Sequence, residues 1–368
     1  MIVLKNLRGI KSLVYGASFF GGGGGGWISE GLELGRLAFE LTGEVRILDP
    51  HEVSDDYILV TVSAVGAPAA EERYLKPVHL IRSVELLIEN GVGVEGLIPS
   101  EVGAYNGVNG LIQSAMLGIP VVDMPCNGRA HPTGLMGSMG LHRIDGYISK
   151  QAVAGGDPSK GKYIELYVSA KLESATSIVR RAAVEAGGLV AVARNPIDAG
   201  YAKEHGAPGA LRKAYEVGRM MSKHISKGDT KGACYAAFKE ASGEVIGECT
   251  VSDVSLETRE GFDVGSVSLD CGGAKYMIRF VNEYITLDKG SRRIATFPDL
   301  ISLMNLKTGL PVTSAELPNL KNETVLLGFV PRDKLILGSG VKYPEAYTAL
   351  EKILNVKIVE FIHDVLIG

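Results

Sequence analysis

Two kinds of apolar spacing divide the chain. Up to about residue 226, compact apolar runs alternate with amphipathic segments. "EVRILDP" (44–50), "DYILVTVSAVGAP" (56–68), "IPVVDMP" (119–125), "YIELYVSA" (163–170) and "GLVAVARNP" (188–196) read as strands bounded by turn residues. "EGLIPSEVGAYNG" (95–107) reads as a strand running into a loop. Between these lie helical patterns in "RYLKPVHLIRSVELLIEN" (73–90), "NGLIQSAMLG" (109–118), "ATSIVRRAAVEAG" (175–187) and "GALRKAYEVGRMMSK" (209–223). The alternation predicts an α/β domain over residues 1–226, three layers deep, with a parallel or mixed sheet. Past residue 228 the pattern changes: from 231 to 287 Val, Ile, Thr and Tyr alternate with polar residues between short glycine breaks. This is the spacing of antiparallel hairpins, and it predicts a smaller β-rich domain, a barrel or sandwich, over 227–368. Further strands are expected at "ETVLLGFVPR" (323–332) and "VKIVEFI" (356–362), with a late helix at "YPEAYTALEKIL" (343–354). No internal repeat is visible.

Six consecutive glycines, Gly21 to Gly26, interrupt the first domain. Behind them Leu32, Leu34, Leu37, Ala38 and Leu41 recur near a 3.6-residue period, which predicts a helix from Ile28 to Leu41. A glycine loop ahead of a helix offers backbone N–H groups to an anion, so Gly22, Gly23, Gly24 and Gly25 are candidate substrate-binding positions. No Gly-Lys-Ser or Gly-Lys-Thr follows, which excludes a P-loop. The tract, the helix and then Asp49 also have roughly the spacing of a dinucleotide-binding unit. Against that minor reading, "SLVYGASFF" (12–20) lacks the β run that should lead into the glycines.

Composition narrows the function classes. Of 368 residues, 46% are hydrophobic and 22% charged, within the range of globular domains and long enough for two cores. A net charge of −4 without a basic cluster argues against nucleic acid. No apolar run is long enough to cross a bilayer, and the N-terminus has the wrong charge order for a signal peptide, so no membrane association and a cytoplasmic location are expected. The four cysteines show no Cys-x-x-Cys spacing, which supports neither a zinc ribbon nor a disulfide framework. A chain this apolar is expected to form homo-oligomers.

In open α/β sheets ligands bind beyond the carboxyl ends of strands. The predicted strands end at Asp49, at Gly66 to Pro68, at Ser100 and Glu101, at Asp123, and at Arg194 and Asn195. Two loops concentrate chemistry: "EVGAYNGVNG" (101–110), and "DMPCNGRAHP" (123–132), where an acid, a thiol, an amide, a guanidinium and an imidazole fall within one turn-rich stretch. Asp123, His131 and Glu101 are the candidate catalytic residues, with Asp123 and His131 as candidate ligands should a divalent metal take part. Asn106, Asn127 and Arg129 are candidate substrate-binding residues, Arg129 as a fork for a carboxylate. Cys126 reads as a small buried hydrophobe. No Gly-x-Ser-x-Gly elbow or His-Glu-x-x-His pair occurs.

"YGASFFGGGGGG", "ILDP" followed by Asp55 and Asp56, "VSAVGAP", "EVGAYNG", "GIPVVDMPCNGRAHP", "FVNEYI" and "FPDLISLMNLKTGLPV" occur in this order. The series, spanning nearly the whole chain, resembles the S-methyl thiohydantoin desulfurase-like family, whose members are often encoded beside hydantoinase or oxoprolinase subunits. The resemblance implies an α/β domain plus a β-rich domain. It also implies a small-molecule substrate, a hydantoin-like or S-methyl thiohydantoin-like cyclic amide attacked by water at C2 with release of a thiol. An alternative is a non-catalytic partner of a hydantoinase- or oxoprolinase-type enzyme; a nucleotide-binding oxidoreductase is a third reading. The chain departs from the family pattern at His131 and Thr133 and over Met124 to Cys126, which implies a divergent substrate.

Overall fold

The computed structural model describes residues 1–367. One mixed sheet holds β1 (Ile2–Leu4), β2 (Val45–Leu48), β3 (Ile58–Gly66), β4 (Gly96–Pro99), β5 (Val121–Val122), β6 (Ser149–Gly155), β7 (Ile164–Ala170) and β8 (Leu189–Asp198) in the order β1-β2-β5-β4-β3-β8-β6-β7. Its centre, β2-β5-β4-β3, is parallel and its flanks antiparallel. The second sheet is antiparallel throughout. It holds β9 (Glu244–Arg259), β10 (Phe262–Cys271), β11 (Ala274–Val281), β12 (Glu283–Lys289), β13 (Arg292–Thr296), β14 (Leu300–Asn305), β15 (Leu310–Pro311) and β16 (Thr324–Val330). Its order, β13-β12-β11-β10-β9-β16-β14-β15, leaves β13 and β15 as unpaired edges, so the sheet does not close into the barrel that was one expectation.

The helices are α1 (Leu7–Gly21), α2 (Ile28–Thr42), α3 (Pro77–Glu89), α4 (Leu111–Leu117), α5 (Leu172–Glu185), α6 (Ala199–His205), α7 (Ala210–Ile225), α8 (Thr230–Glu240) and α9 (Thr348–Leu354). Among the described residues none is long and apolar enough to cross a membrane. In α1, Ile10, Leu13, Val14, Ala17 and Phe20 form a buried stripe at helical spacing, and Asn6 caps the start through Gly9 N–H. Helix α1 therefore replaces the strand that a dinucleotide fold needs before its glycines. It crosses α7 with backbones touching. A Cβ on Gly16 would lie 1.6 Å from the Ala214 carbonyl oxygen, and one on Gly218 1.7 Å from that of Ser12. Phe19 meets Phe238 of α8 edge-on at 5.1 Å, and Leu300, Met304, Leu326 and Val330 of the second sheet join the same apolar core.

Three expectations fail locally. The stretch from Lys231 to Glu240, expected as strand, lies in α8: Asp229 caps it through Gly232 N–H, and Ala233, Ala237 and Phe238 are buried on one face. The segment around Val359–Phe361 is a single helical turn rather than a strand. Cys249 and Cys271 are disulfide-bonded with their Cα atoms 4.1 Å apart; no motif announces the pair, because the register of β9 against β10 brings them together, with Thr250 opposite Asp270.

Candidate active site

The carboxyl ends of β3 and β4 open on a cleft of about 760 Å³, counting its solvent-open space, whose opposite wall is the start of β12. Strand β4 delivers Ser100 and Glu101, the following loop delivers Asn106, and the loop after β5 returns with His131 to Gly134. Thr176 and Arg180 come from α5, Arg194 from β8, and Asn282 and Glu283 from the second sheet. Trp27, Glu30, Arg73 and Tyr105 frame the mouth. There Arg73 pairs with Glu30 at 2.7 Å and lies over the Trp27 ring.

Glu101, 4% exposed, accepts hydrogen bonds on both oxygens. Asn106 Nδ2 donates to Oε1 at 2.7 Å and the His131 backbone N–H to Oε2 at 3.0 Å. Asn106 is itself held by Ala64 N–H on its Oδ1. His131 Nε2 lies 3.3 Å from the Ser100 carbonyl and 3.5 Å from Glu101 Oε2, two acceptors that fix the proton on that nitrogen. Burial lowers the His131 pKa, with Glu101 opposing, so the ring is neutral, and its Nδ1 has no hydrogen-bond partner in good geometry among the described residues.

Glu283 differs from Glu101 in its hydrogen bonding. It is 2% exposed and its Oε2 has no hydrogen-bond partner among the described residues. Burial first, and the negative charge of Glu101 second, push its pKa well above the carboxylate range, with Arg129 opposing. Asn282 just before it has a left-handed backbone (φ 55°), is tied to Asp263 through N–H···O and Oδ1 contacts, and turns the chain so that β12 starts at the cleft.

The glycine tract explains how Glu283 fits. A Cβ on Gly24 would sit 1.9 Å from Glu283 Oε1, one on Gly25 2.5 Å from Gly103 Cα, and one on Gly26 2.4 Å from Tyr105 Cβ. The tract is therefore packed on protein along most of its length. The Gly22 carbonyl accepts from Tyr284 N–H, that of Gly23 from Ser314 N–H and that of Gly25 from Tyr105 and Asn106 N–H, which stitches the two sheets together. Only Gly25 and Gly26 of the tract line the cleft. Gly22 lies outside it, and Gly23 and Gly24 border a separate small cavity of about 220 Å³.

Other expected site residues lie elsewhere. Asp123 is fully buried, outside the cleft, and its oxygens accept from Leu211 N–H at 2.7 Å and Arg212 N–H at 3.0 Å at the start of α7. Burial raises its pKa to about 6 while those two bonds hold it down. Its place is that of a cap. Arg129 gives its Nε to the Ala130 carbonyl and its Nη1 to those of Pro298 and Asp299 and lies over the Phe297 ring at 4.4 Å; its buried Nη2 has no hydrogen-bond partner among the described residues, but the side chain lies outside the cleft. Asn127 bridges Arg129 O and Gly338 N–H. Cys126 is buried, and burial raises its thiol pKa to about 11. With Asp123 capping α7 and His131 Nε2 facing Ser100, the pair does not fit a shared divalent metal. Among the described residues no group of three or more His, Cys, Asp or Glu side chains is placed to hold one.

Glu283 was legible only as part of "FVNEYI", where it looks like one polar position of an alternating strand. Arg180 and Thr176 gave no signal, because α5 reads as an ordinary amphipathic helix.

Family models described as the S-Me-THD-like N-terminal and C-terminal domains match residues 8–160 and 170–334. Among solved structures, a crystallised protein from Chromobacterium violaceum superposes with a TM-score of 0.73 over 96% of this chain and 97% of that chain at 20% identity, a likeness of fold. No curated protein matches the chain.

Proposed function

The chain belongs to the S-Me-THD-like family, and we propose that its cleft hydrolyses hydantoin-like rings, S-methyl thiohydantoins among them, by attack of water at C2 and loss of the thiol. One observation carries the reading: two buried carboxyls line the same cleft, Glu101 with hydrogen-bond donors on both oxygens and Glu283 with its Oε2 unpartnered among the described residues and its pKa pushed up by burial. Glu101, held by Asn106 and His131, is the base that takes a proton from water as its oxygen bonds to C2. The electrons displaced from the C=N bond reside on the ring nitrogen in the tetrahedral intermediate. Their return re-forms the C=N bond and expels the sulfur, which receives the proton of Glu283 and leaves as methanethiol; the C2 hydroxyl then passes its remaining proton to the ring nitrogen, which leaves a carbonyl at C2. Transfer of a proton from Glu101 to Glu283, directly or through solvent, restores the starting state. Such division of labour between two acids is how proteins run acid and base chemistry near neutrality. His131 and Asn106 are positioning residues that keep Glu101 aimed.

The test is thiol release from an S-methyl thiohydantoin by the purified full chain, followed with a thiol-trapping dye across pH. Turnover is expected to fall as pH rises through the elevated pKa of Glu283, because the leaving sulfur then lacks its proton. Release no faster than in buffer, over a panel of ring substituents, would remove the reading.

A further inference from the structure

Arg194 has no task in that chemistry and no hydrogen-bond or salt-bridge partner among the described residues. It is 4% exposed and lines the cleft. Its Nε is buried without a hydrogen-bond acceptor, and no hydrogen bond or salt bridge from its guanidinium occurs among the described residues. A guanidinium stays charged and presents five donors in a planar fork. A buried charge without a counter-ion is costly, and proteins rarely keep one unless something arrives to meet it.

The local backbone is built to present this side chain. Between Leu59 and Thr61 the pairing of β3 with β8 slips, so that Arg194 opposes Thr61 while Ile197 opposes Leu59. Asn195 there is left-handed (φ 53°), and Ser149 Oγ donates to its side chain at 2.6 Å. Irregularities of this kind re-aim side chains beside binding sites. Gly134 lets the loop approach closely: a Cβ there would meet Thr176 Cγ2 at 2.5 Å and Arg194 Nη1 at 3.3 Å. Thr176 and Arg194 thus flank the same glycine, and the Thr176 hydroxyl is likewise buried without a hydrogen-bond partner among the described residues.

The other charges of the cleft do not satisfy Arg194. Both oxygens of Glu101 are engaged by Asn106 and His131, and neither a hydrogen bond nor a salt bridge joins Glu283 to Arg194 among the described residues. Arg180 is committed to the carbonyls of Gly261, Pro132 and Gly66 and to the Phe262 ring. One unengaged fork beside one unengaged hydroxyl suits a planar monoanion. We propose that Arg194 and Thr176 form a subsite for a carboxylate carried on the ring substrate, so that the preferred substrates are acidic hydantoin-type rings. The ring part of this assignment rests on the reading above; the carboxylate part rests on Arg194 itself.

The two parts separate in a binding experiment on the full chain with two probes of one shape, hydantoin-5-acetate and hydantoin-5-acetamide, with succinate as a ring-free carboxylate. The wild type is expected to favour the acetate over the acetamide by about ten- to a hundredfold, the range of hydrogen bonds to charged groups. Arg194→Met should abolish that preference and leave acetamide binding intact, Thr176→Val should reduce it, and Arg194→Lys should keep part of it. Equal affinity for both rings in the wild type, or a preference that survives Arg194→Met, overturns the subsite and leaves the ring chemistry standing. Succinate binding that disappears in Arg194→Met, with neither ring bound, supports the subsite and removes the ring reading. If none of the three probes binds, the subsite is overturned. Should Arg194→Met fail to fold by circular dichroism, Arg194→Lys and Thr176→Val decide the same question.

Discussion

Neighbouring parallel strands β4 and β5 each end on a buried acid, Glu101 and Asp123. By position in the sheet they are equivalent, and by exposure they differ little. What separates them is the identity of their donors. Glu101 takes its bonds from an amide side chain and the backbone of a cleft-lining loop, which leaves it at the wall of a cavity. Asp123 takes both of its bonds from the first N–H groups of α7, the groups a helix leaves unpaired. One acid is thereby available to a ligand and the other is consumed in holding α7, the helix against which α1 packs. Burial at a strand end marks a candidate; its hydrogen-bond partners decide between chemistry and architecture.

The comparison breaks or holds on two substitutions. Glu101→Gln has the larger expected effect: loss of the base should reduce kcat/KM for thiol release by about a hundredfold to ten-thousandfold, with the unfolding midpoint in urea little changed. Asp123→Asn should do the reverse. It places an NH₂ group against one of two backbone donors and should destabilise the fold by about 1–3 kcal/mol, while turnover per folded molecule stays at the wild-type value. An Asp123→Asn protein of full stability and no turnover would reinstate Asp123 as catalytic and dissolve the distinction.

The same distinction explains what the sequence could and could not show. The alternation of apolar runs located most elements of the first sheet, since a strand buried on both faces and a helix with one apolar stripe are local patterns. Strand β6, "SKQAVAG", was not read, because its small residues carry little apolar signal and its burial comes from β7 and β8. Helix α1 was also missed: its register is set by the Gly16 and Gly218 contact, which joins residues far apart in the chain. At the site, Glu101, His131 and Asn106 were legible because they share two neighbouring loops. Glu283 was not, since its burial depends on Gly24 in another part of the chain. The glycine tract announced a close approach correctly in kind, yet the approaching group at Gly24 is the protein's own carboxyl.

Glu283 gives the smallest and most discriminating effect. Both Asp123 and Glu283 have pKa values raised by burial, so both fold more readily with the proton on. For Glu283 this stability is fully present below the unfolded-state value, about 4.3 for glutamate, and is lost as pH rises through the elevated folded-state pKa. Glu283→Gln removes the titration, keeps the shape of the neutral acid and retains a donor. Its stability should match the wild type near pH 4 and exceed it at pH 8 by about 0.5–2 kcal/mol, the usual size of such relief at a functional site, read as a pH-dependent gap between two urea curves. Asp123→Asn removes a titration of the same sign, yet it should lose stability at every pH, because the two N–H groups of α7 no longer both find an acceptor. A gap of one sign in one variant and the opposite sign in the other, from acids shifted in the same direction, would separate the strained carboxyl of a working cleft from the satisfied carboxyl of a cap. Parallel behaviour of the two variants would mean that Glu283 is also held by the fold, and that the cleft lacks its proton donor.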